Sequence, residues 1–390
     1  MKVNILMPSY NDGESIIETL NSLLMQTYKN WELFIMDDGS TDNTKEIILN
    51  YKVKYDCKNK INYFYQKNQD QLNAVNNLIK YITGDYIFIL HSDDLLASAN
   101  VLEKSVNYME QKKDIDAIIG DLLIIDKDSQ IVGKQKVKKY KKNNSVLALQ
   151  ELWLGRNLFV DVAFYRKDIF INKVRESYLI NNIPFWIDIT GKNLKMLNVE
   201  KVNYELIKYR VFENNYINNE IGKLNVINGE IRTVITIMKE YNIYLYRFQY
   251  LIFRLLNKFK IKYIPFYCRK EQKHKERIIK FIIKKRFKKD YKNNLFLNSI
   301  IEFYKNDKNR IYEIDDKVNK EFIYDGKDMR QFNKDILNDD ISNFYKEFLN
   351  NMRIGFNKIL VSEDNYDKVV KVCKFMCIYP FVNIIKKEEK

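Results

Sequence analysis

The sequence predicts an α/β protein with a mainly parallel sheet covered by helices on both faces, followed by a mostly α-helical C-terminal domain. In the first 125 residues, short runs rich in β-formers alternate with segments whose apolar residues recur every three or four positions. Such alternation is typical of parallel sheets. Several of the short runs are apolar almost without a break, which is typical of strands covered on both faces. Beyond about residue 220 the pattern is helical and poor in proline and glycine.

The individual elements follow in order from these periodicities. The predicted strands are 3–10, 31–38, 61–66, 85–92 and 115–125. The helical spacings between them predict helices at 14–26, 41–55, 71–83 and 97–111. From about 150 to 215 the pattern loosens into strand-like pieces and loops. We therefore expect two domains, 1–215 and 216–390.

Composition limits the class of protein. With 390 residues and 46% hydrophobic content, the chain can build a sizeable core. Its four cysteines show no CxxC spacing, so neither a disulfide framework nor a zinc site is expected. The start of the chain has no signal-peptide pattern, and no apolar run approaches the roughly 18 residues of a spanning helix. These features predict a cytoplasmic protein.

The net charge of +15 is unevenly distributed. Residues 251–290 carry fifteen lysines and arginines against three acids, and no nucleic-acid-binding module accompanies them. We expect no nucleic-acid partner. Within this region, 275–289 predicts a basic amphipathic helix. It fits either peripheral contact with anionic lipid or packing on its own domain with a solvated basic face.

Three predicted strands end in polar residues. The first ends in "PSYND", the second in "DDGSTD" and the fourth in "HSDD". The carboxyl ends of parallel strands meet at one edge, where ligands bind in open α/β sheets. A cluster of Asp37, Asp38, Asp93 and Asp94 would repel a bare pyrophosphate, so phosphate binding there requires a divalent cation. Neither a P-loop nor a GxGxxG motif is present.

These segments carry a family resemblance. "PSYNDGESIIETLNSLLMQTYKNWELFIMDDGSTDNT" and "NQDQLNAVNNLIKYITGDYIFILHSDD" resemble the family-two glycosyltransferases of GT-A type, and "AFYRKDIF" and "YRVFENN" are similar to later family segments. The resemblance covers about residues 1 to 215. It implies a Rossmann-like GT-A fold, a nucleotide-sugar donor, most often a UDP-sugar, and metal-dependent transfer with inversion at the anomeric carbon.

The resemblance also implies site residues. Asp93 would bind Mn²⁺ or Mg²⁺, which neutralises the leaving nucleoside diphosphate, and one of Asp37 and Asp38 would hydrogen-bond the uracil ring. The nucleotide contacts implied in this way are Pro8, Tyr10, Asn11, Asp37, Asp38, Asn73, Ala74, Asn76, His91 and Ser92.

Two departures concern the donor end. His91 stands where the family pattern has the first aspartate of D-x-D-D, and its imidazole could contact a ribose hydroxyl, the metal or a metal-bound water, or be an inert replacement. Asp70 stands where the family commonly has glycine, and Asn73 where aspartate is common. These differences bear on the sugar or nucleotide preference and leave the class unchanged.

A further departure concerns the catalytic base. Asn181 and Asn182 stand where the family has a Glu-Asp pair, and asparagine cannot take a proton. We expect Asp188, in the same segment, to serve as the base. Asp161 or Glu176 could serve instead, or the base could be lost.

The sequence therefore predicts a glycosyltransferase acting on a hydroxyl of a surface glycan, a lipid-linked intermediate or a surface protein, such as serine or threonine of flagellin. The C-terminal domain would bind the acceptor or a partner. Two other interpretations stay open. One is a catalytically impaired scaffolding subunit, suggested by Asn181, Asn182 and His91. The other is a nucleotidyltransferase, whose usual glycine- and arginine-rich N-terminal signature is missing.

Overall fold

The protein divides into two compact units, Met1–Asn215 and Tyr216–Lys390. The computed structural model describes residues 1–68, 71–137, 162–171, 198–211, 295–306, 309–314, 341–376, 378 and 382–387. Each unit is described separately below.

The first unit alternates strands and helices along its first 125 residues, as the sequence predicts. Its strands are β1 (Val3–Ser9), β2 (Trp31–Asp37), β3 (Ile61–Tyr65), β4 (Tyr86–Ile89), β5 (Leu95–Leu96), β6 (Ala117–Ile119), β7 (Leu122–Ile125), β8 (Ile131–Gln135), β9 (Phe164–Arg166), β10 (Val199–Lys201) and β11 (Ile207–Arg210). Its helices are α1 (Ile16–Leu24), α2 (Thr44–Lys54), α3 (Gln71–Ile79) and α4 (Val101–Gln111). A short 3-10 helix follows β9 at Lys167–Ile171.

Seven strands form the main sheet in the order β10-β6-β9-β4-β1-β2-β3. Strand β1 lies between β2 and β4 and pairs in parallel with both, so the carboxyl ends of these three strands lie at one edge. All seven residues of β1 are buried, and α1 buries the apolar side chains Ile16, Leu20 and Leu23. A strand buried on both faces needs apolar residues throughout, which explains the unbroken run in the sequence.

Strand β9 is the antiparallel member of this sheet. It lies between β4 and β6 and pairs antiparallel with both. Its residues Phe164 and Tyr165 are fully buried. The sheet is therefore mainly parallel, as expected, with one strand reversed near its middle.

The strand predicted at 115–125 is interrupted in the structure. It divides at Gly120 into β6, in the main sheet, and β7, in a second sheet of order β5-β11-β7-β8. A Cβ added at Gly120 would lie 2.5 Å from the Tyr204 carbonyl oxygen, so only glycine permits this approach of two backbones. Apolar residues stand on both sides of Gly120 and Asp121, and so short a break gives no sign of a change of sheet, which is why the sequence predicted one strand.

The second unit contains helices, as expected, and also a small parallel sheet that the sequence analysis did not anticipate. Its helices are α5 (Leu295–Lys305), α6 (Asn343–Ile354) and α7 (Tyr366–Phe375), with a 3-10 turn at Glu363–Asn365. The sheet consists of β12 (Ile311–Glu313), β13 (Lys358–Val361) and β14 (Asn383–Lys386), with β13 in the middle. Strands of three or four residues are too short to show alternation, so the sequence pattern could not reveal them.

Helices long and apolar enough to cross a membrane are absent from the described part of the chain.

Candidate active site

The loops that follow β1 and β2 are tied together by Asn11. Its side-chain Oδ1 accepts a hydrogen bond from the Thr41 backbone N–H at 2.8 Å, and its own N–H donates to Ser40 Oγ at 2.9 Å. Asn11 adopts a positive φ of 57°, which asparagine tolerates better than most residues. Pro8 lies buried on β1, whereas Tyr10 is 42% exposed at the end of the strand.

Asp37 is the last residue of β2, Asp38 follows it, and both are buried. The Asp37 carboxylate accepts hydrogen bonds on both oxygens, from Ser40 N–H at 2.7 Å and from Tyr63 Oη at 2.6 Å. Burial, together with this bond to a carboxylate, raises the pKa of the Tyr63 hydroxyl. The hydroxyl therefore remains a donor at neutral pH and fixes the orientation of Asp37.

Asp38 is held by a different set of contacts. Its N–H donates to the Ser9 carbonyl at 2.8 Å, and its Oδ1 accepts from Gln66 Nε2 at 2.7 Å. The Gln66 Oε1 in turn accepts from Asn77 Nδ2 at 2.7 Å, which fixes the orientation of the glutamine amide. The turn after Asp38 requires Gly39, whose φ is +83° and whose added Cβ would lie 2.8 Å from Asn68 N.

Three of the expected nucleotide-contact residues lie on α3. Ala74 and Asn76 are buried, and Asn73 is partly buried. Helix α3 packs on β1 and β2, the strands that supply the residues above.

The segment His91–Asp94 follows β4. Ser92 is buried, and its Oγ lies 3.1 Å from the Pro8 carbonyl oxygen and in hydrogen-bond contact with the Asp12 carboxylate. The Ser92 carbonyl accepts from Thr19 Oγ1 on α1 at 2.8 Å. The ends of β1 and β4 are therefore joined directly by side chains, and those of β1 and β2 through Asn11 and Asp38.

Asp12 belongs to this site, although the sequence analysis gave it no role. Its Oδ2 accepts hydrogen bonds from Ser9 Oγ and Tyr10 N–H, each at 2.8 Å, as well as from Ser92. Burial, and next the negative charge of Asp93, raise the pKa of Asp12 to about 6 despite these hydrogen bonds. The sequence signal for Asp12 was its place in "PSYND" at the end of a predicted strand. Its contact with Ser92, 80 positions later, could not be predicted from spacing.

Arg210 is the second residue that the sequence analysis missed. It is 2% exposed at the end of β11, and its Nε donates to the Asp93 carbonyl at 2.9 Å. Its backbone N–H donates to Asp94 Oδ1, also at 2.9 Å, and its Nη2 bonds Glu18 Oε2 at 2.7 Å. The segment "YRVFENN" pointed to this place but not to its contacts with the loop after β4.

His91, Asp93 and Asp94 could hold a metal ion, since one ligand atom from each lies within 4.8 Å of the others. Asp93 is partly exposed, whereas Asp94 is fully buried and bonded to the Arg210 backbone. Carboxylate and imidazole ligands suit divalent cations of the first transition row, and carboxylates also suit Mg²⁺. The donor set therefore fits a divalent cation at Asp93, with His91 beside it.

Several residues singled out from the sequence lie outside the described residues. They are Asp70, Asp161, Glu176, Asn181, Asn182, Asp188 and the segment 275–289. Their roles stay predictions.

Comparison with known proteins identifies the family. The model described as glycosyl transferase family 2 matches residues 4–172. The chain is 34% identical over 230 residues to the Escherichia coli protein named UDP-Glc:alpha-D-GlcNAc-diphosphoundecaprenol beta-1,3-glucosyltransferase WfgD, covering 57% of this chain and 82% of that protein. The chain belongs to glycosyl transferase family 2.

Further members and solved structures are similar to this family-2 chain. It is 26% identical over 206 residues to the putative glycosyltransferase EpsE of Bacillus subtilis, with 53% of this chain and 72% of that protein covered. The Staphylococcus aureus TarS structure in complex with UDP is 14% identical with a TM-score of 0.45, over 89% of this chain and 92% of that one. The mannosyltransferase PcManGT from Pyrobaculum calidifontis, in complex with GDP-Man and Mn²⁺, is 12% identical with a TM-score of 0.39, over 68% and 66%.

Membership confirms three of the expectations from the sequence. The protein is a family-two glycosyltransferase, its fold class is the mainly parallel α/β sheet of GT-A enzymes, and it is an enzyme that uses a nucleotide-sugar donor. Family-two enzymes generally use a divalent metal.

Proposed function

We propose that the protein is a metal-dependent, inverting glycosyltransferase that transfers a sugar from a UDP-sugar to a hydroxyl of a surface glycan or lipid-linked intermediate. The observation that carries this proposal is the meeting of three strand ends. Buried carboxylates follow β2, a partly exposed Asp93 follows β4, and hydrogen bonds through Asn11 and Ser92 join both to β1. The name of the E. coli relative, a UDP-glucose-dependent enzyme, supports the choice of donor.

The acids after β2 serve the base. Asp37 holds the turn, because both of its oxygens bond groups of the protein. We assign the acceptance of the uracil N3–H to Asp38, the neighbouring acid, whose Oδ1 is oriented by Gln66. Pro8, Tyr10 and Asn11 border the base on the β1 side. Asn73, Ala74 and Asn76 on α3 lie beside the nucleotide.

The segment after β4 serves the diphosphate. Asp93 would hold a divalent cation, Mn²⁺ or Mg²⁺, which when bound would supply positive charge to stabilise the leaving diphosphate. Ser92 fixes this segment to β1 through Pro8 and Asp12, and Arg210 fixes it to β11 through the Asp93 carbonyl. A segment held by two strands keeps its carboxylate in place without reorganisation during the reaction.

The acceptor hydroxyl must lose a proton during an inverting transfer. We propose Asp188 as the base, with Asp161 and Glu176 as the other candidates, because asparagine at 181 and 182 cannot take a proton. In-line attack by the hydroxyl oxygen then forms the new glycosidic bond while the bond from the anomeric carbon to the diphosphate breaks.

The unit 216–390 would bind the acceptor. The E. coli relative carries an undecaprenol-linked acceptor in its name, which supports a lipid-linked substrate. The segment 275–289, which the sequence predicts to be a basic amphipathic helix, would then bring a cytoplasmic enzyme to the inner face of the membrane. A second candidate acceptor is serine or threonine of a surface protein such as flagellin, modified before export.

The test combines binding with turnover. The purified protein is incubated with Mn²⁺ and a panel of UDP-, GDP- and dTDP-sugars, and both thermal stabilisation and release of nucleoside diphosphate are followed. We expect one UDP-sugar to stabilise the protein and to be hydrolysed slowly, and Asp93→Ala to lose both effects.

The matched control is Asp364→Ala, which removes an exposed acid at a strand end of the second unit. It should behave as the unmodified protein. Stabilisation without release, even with glycan, lipid-linked and protein acceptors supplied, would favour a scaffolding subunit. No response to any donor would contradict the proposal.

A further inference from the structure

The two ring nitrogens of His91 have different neighbours. Its Nδ1 lies 3.8 Å from Asp94 Oδ2, and its Nε2 lies 2.8 Å from Gln71 Nε2 at the start of α3. The resemblance placed an aspartate at this position, so the imidazole is a property of this chain. Its surroundings indicate what it does.

The contact with Gln71 assigns the tautomer. An amide nitrogen can only donate, so the Gln71 Nε2–H donates to an unprotonated His91 Nε2. The proton of the neutral ring is then on Nδ1, on the side of Asp94. The Asp94 carboxylate is fully buried, and its Oδ1 accepts from the Arg210 backbone N–H at 2.9 Å, so it is a fixed neighbour of the ring.

Metal-binding histidines donate one ring N–H to a carboxylate or another acceptor and bind the ion through the other nitrogen. Here the Asp94 carboxylate lies near Nδ1, at 3.8 Å, without a hydrogen bond to it. In this chain the lone pair of Nε2 is occupied by the Gln71 amide. A cation takes the same lone pair, so the amide stands where a metal would bind. One ring nitrogen of His91 and one carboxylate oxygen of Asp93 lie within 4.8 Å of each other, and two ligands of one ion are roughly 3–4 Å apart, so a rotation of these side chains is needed for both to bind one ion.

We propose that His91 Nε2 and the Asp93 carboxylate bind the divalent cation together and that this mixed nitrogen and oxygen site selects Mn²⁺ and Co²⁺ over Mg²⁺. Imidazole raises affinity for transition metals, whereas Mg²⁺ prefers oxygen ligands. Gln71 is the group that His91 releases when the metal enters. The inference rests on the proposed function, because it concerns the cation that accompanies the nucleotide.

The experiment measures binding of MnCl₂, CoCl₂ and MgCl₂, each with and without UDP, to the full chain and to His91→Asp and Gln71→Ala. We expect the preference for Co²⁺ over Mg²⁺ to fall at least about tenfold in His91→Asp, because a carboxylate removes the nitrogen ligand. In Gln71→Ala the affinity for Mn²⁺ and Co²⁺ should rise, because the lone pair no longer has a competing donor.

A spectroscopic measurement separates ligation from a structural role. Pulsed electron paramagnetic resonance of bound Mn²⁺ should show coupling to ¹⁴N in the unmodified protein and in Gln71→Ala, and none in His91→Asp. Circular dichroism in EDTA verifies that each variant folds. If His91→Asp does not fold, the presence or absence of ¹⁴N coupling in the unmodified protein still decides the question.

Failure of this inference differs from failure of the proposed function. Mn²⁺ and UDP that bind without ¹⁴N coupling, or with an unchanged metal preference in His91→Asp, would overturn the role of His91 and leave a metal-dependent transferase. Absence of any metal-dependent UDP binding would overturn both.

Discussion

Two of the sheets in the described residues, the main sheet of the first unit and the small sheet of the second, differ at the ends of their parallel strands. In the main sheet of the first unit, the acids after β2 and β4 include Asp37, Asp38 and Asp94, which are 1%, 2% and 0% exposed. In the small sheet of the second unit, Glu363 and Asp364 follow β13 and are exposed. Parallel pairing directs strand ends to one edge in both cases. At the edge of the main sheet, the carboxylates are buried and hydrogen-bonded to fixed partners. A ligand-binding site built from buried acids depends on such partners.

The partners explain why the first set of acids can stay buried. An ionised carboxylate removed from water is costly unless hydrogen bonds or a counter-charge replace its hydration. Tyr63, Gln66 and backbone N–H groups supply these bonds for Asp37 and Asp38, and Arg210 for Asp94. Glu363 instead pairs with Lys386 at the surface, where water competes for both charges.

The largest change should follow from replacing Arg210. Arg210→Ala removes a buried guanidinium that donates to the Asp93 and Asp126 carbonyls and to the exposed Glu18 carboxylate, and we expect the free energy of unfolding to fall by about 3 kcal/mol. Urea denaturation measures it. Arg210→Lys keeps the positive charge but not the forked geometry of the guanidinium. Its free energy of unfolding should lie between those of the unmodified protein and Arg210→Ala. A loss below about 1 kcal/mol in the alanine variant would mean that the loop after β4 is held by other contacts.

Asp38→Asn tests whether Asp38 binds the uracil base while its neighbour Asp37 holds the turn. Hydrogen bonds to charged groups contribute about 1.5–3 kcal/mol, so UDP affinity should fall about tenfold or more. Asp37→Asn is the matched control, expected to lower stability while changing UDP affinity less than about threefold. Calorimetric titration of UDP with Mn²⁺ measures both. Equal losses of UDP affinity in the two variants would show that uracil binding depends on both acids alike.

Asp12→Asn should change how stability depends on pH. The folded-state pKa of about 6 lies above the ordinary value of 3.8, so the folded protein binds the proton more tightly. The stabilisation of the fold that comes from this tighter proton binding is fully present below about pH 4 and is lost as the pH rises through about 6. Relative to the variant, the unmodified protein should lose on the order of 2 kcal/mol between pH 4 and 7.

The readout for Asp12 is urea denaturation across this range in EDTA, so that no bound cation alters the titration. Asparagine retains the size of the side chain and an oxygen that can accept from Ser9. Parallel pH profiles for the two proteins would contradict a raised pKa at Asp12.

The smallest effect is expected at the small sheet of the second unit. Glu363→Gln removes one partner of the surface pair with Lys386, and we expect the midpoint of thermal unfolding to move by no more than about 2 °C. Donor stabilisation and nucleotide release should be unchanged. A loss of donor binding in this variant would mean that acids of the second unit take part in the donor site.

Local patterns predicted much of the first unit and little of what holds its site together. Apolar runs located β1, β2 and β4 because burial on both faces leaves no other composition possible. The polar residues that follow these strands could also be recognised in the sequence, because each apolar run ends abruptly where they begin. The contacts that position these residues join distant parts of the chain, such as Arg210 to Asp94 across 116 positions, and no periodicity records them. The raised pKa of Asp12 likewise depends on burial that only the folded chain provides.

The place of β9 in the main sheet has a consequence for how the chain folds during synthesis. Strand β9 has three residues and separates β4 from β6, pairing Tyr86 with Arg166 across 80 positions. A nascent chain that ends before β9 leaves the backbone edges of both neighbours unpaired, and such edges attract other chains. Closing so long a loop also slows folding. The pairing of β6 with the strands that precede Asp37 and Asp93 thus waits for a short strand made long after them.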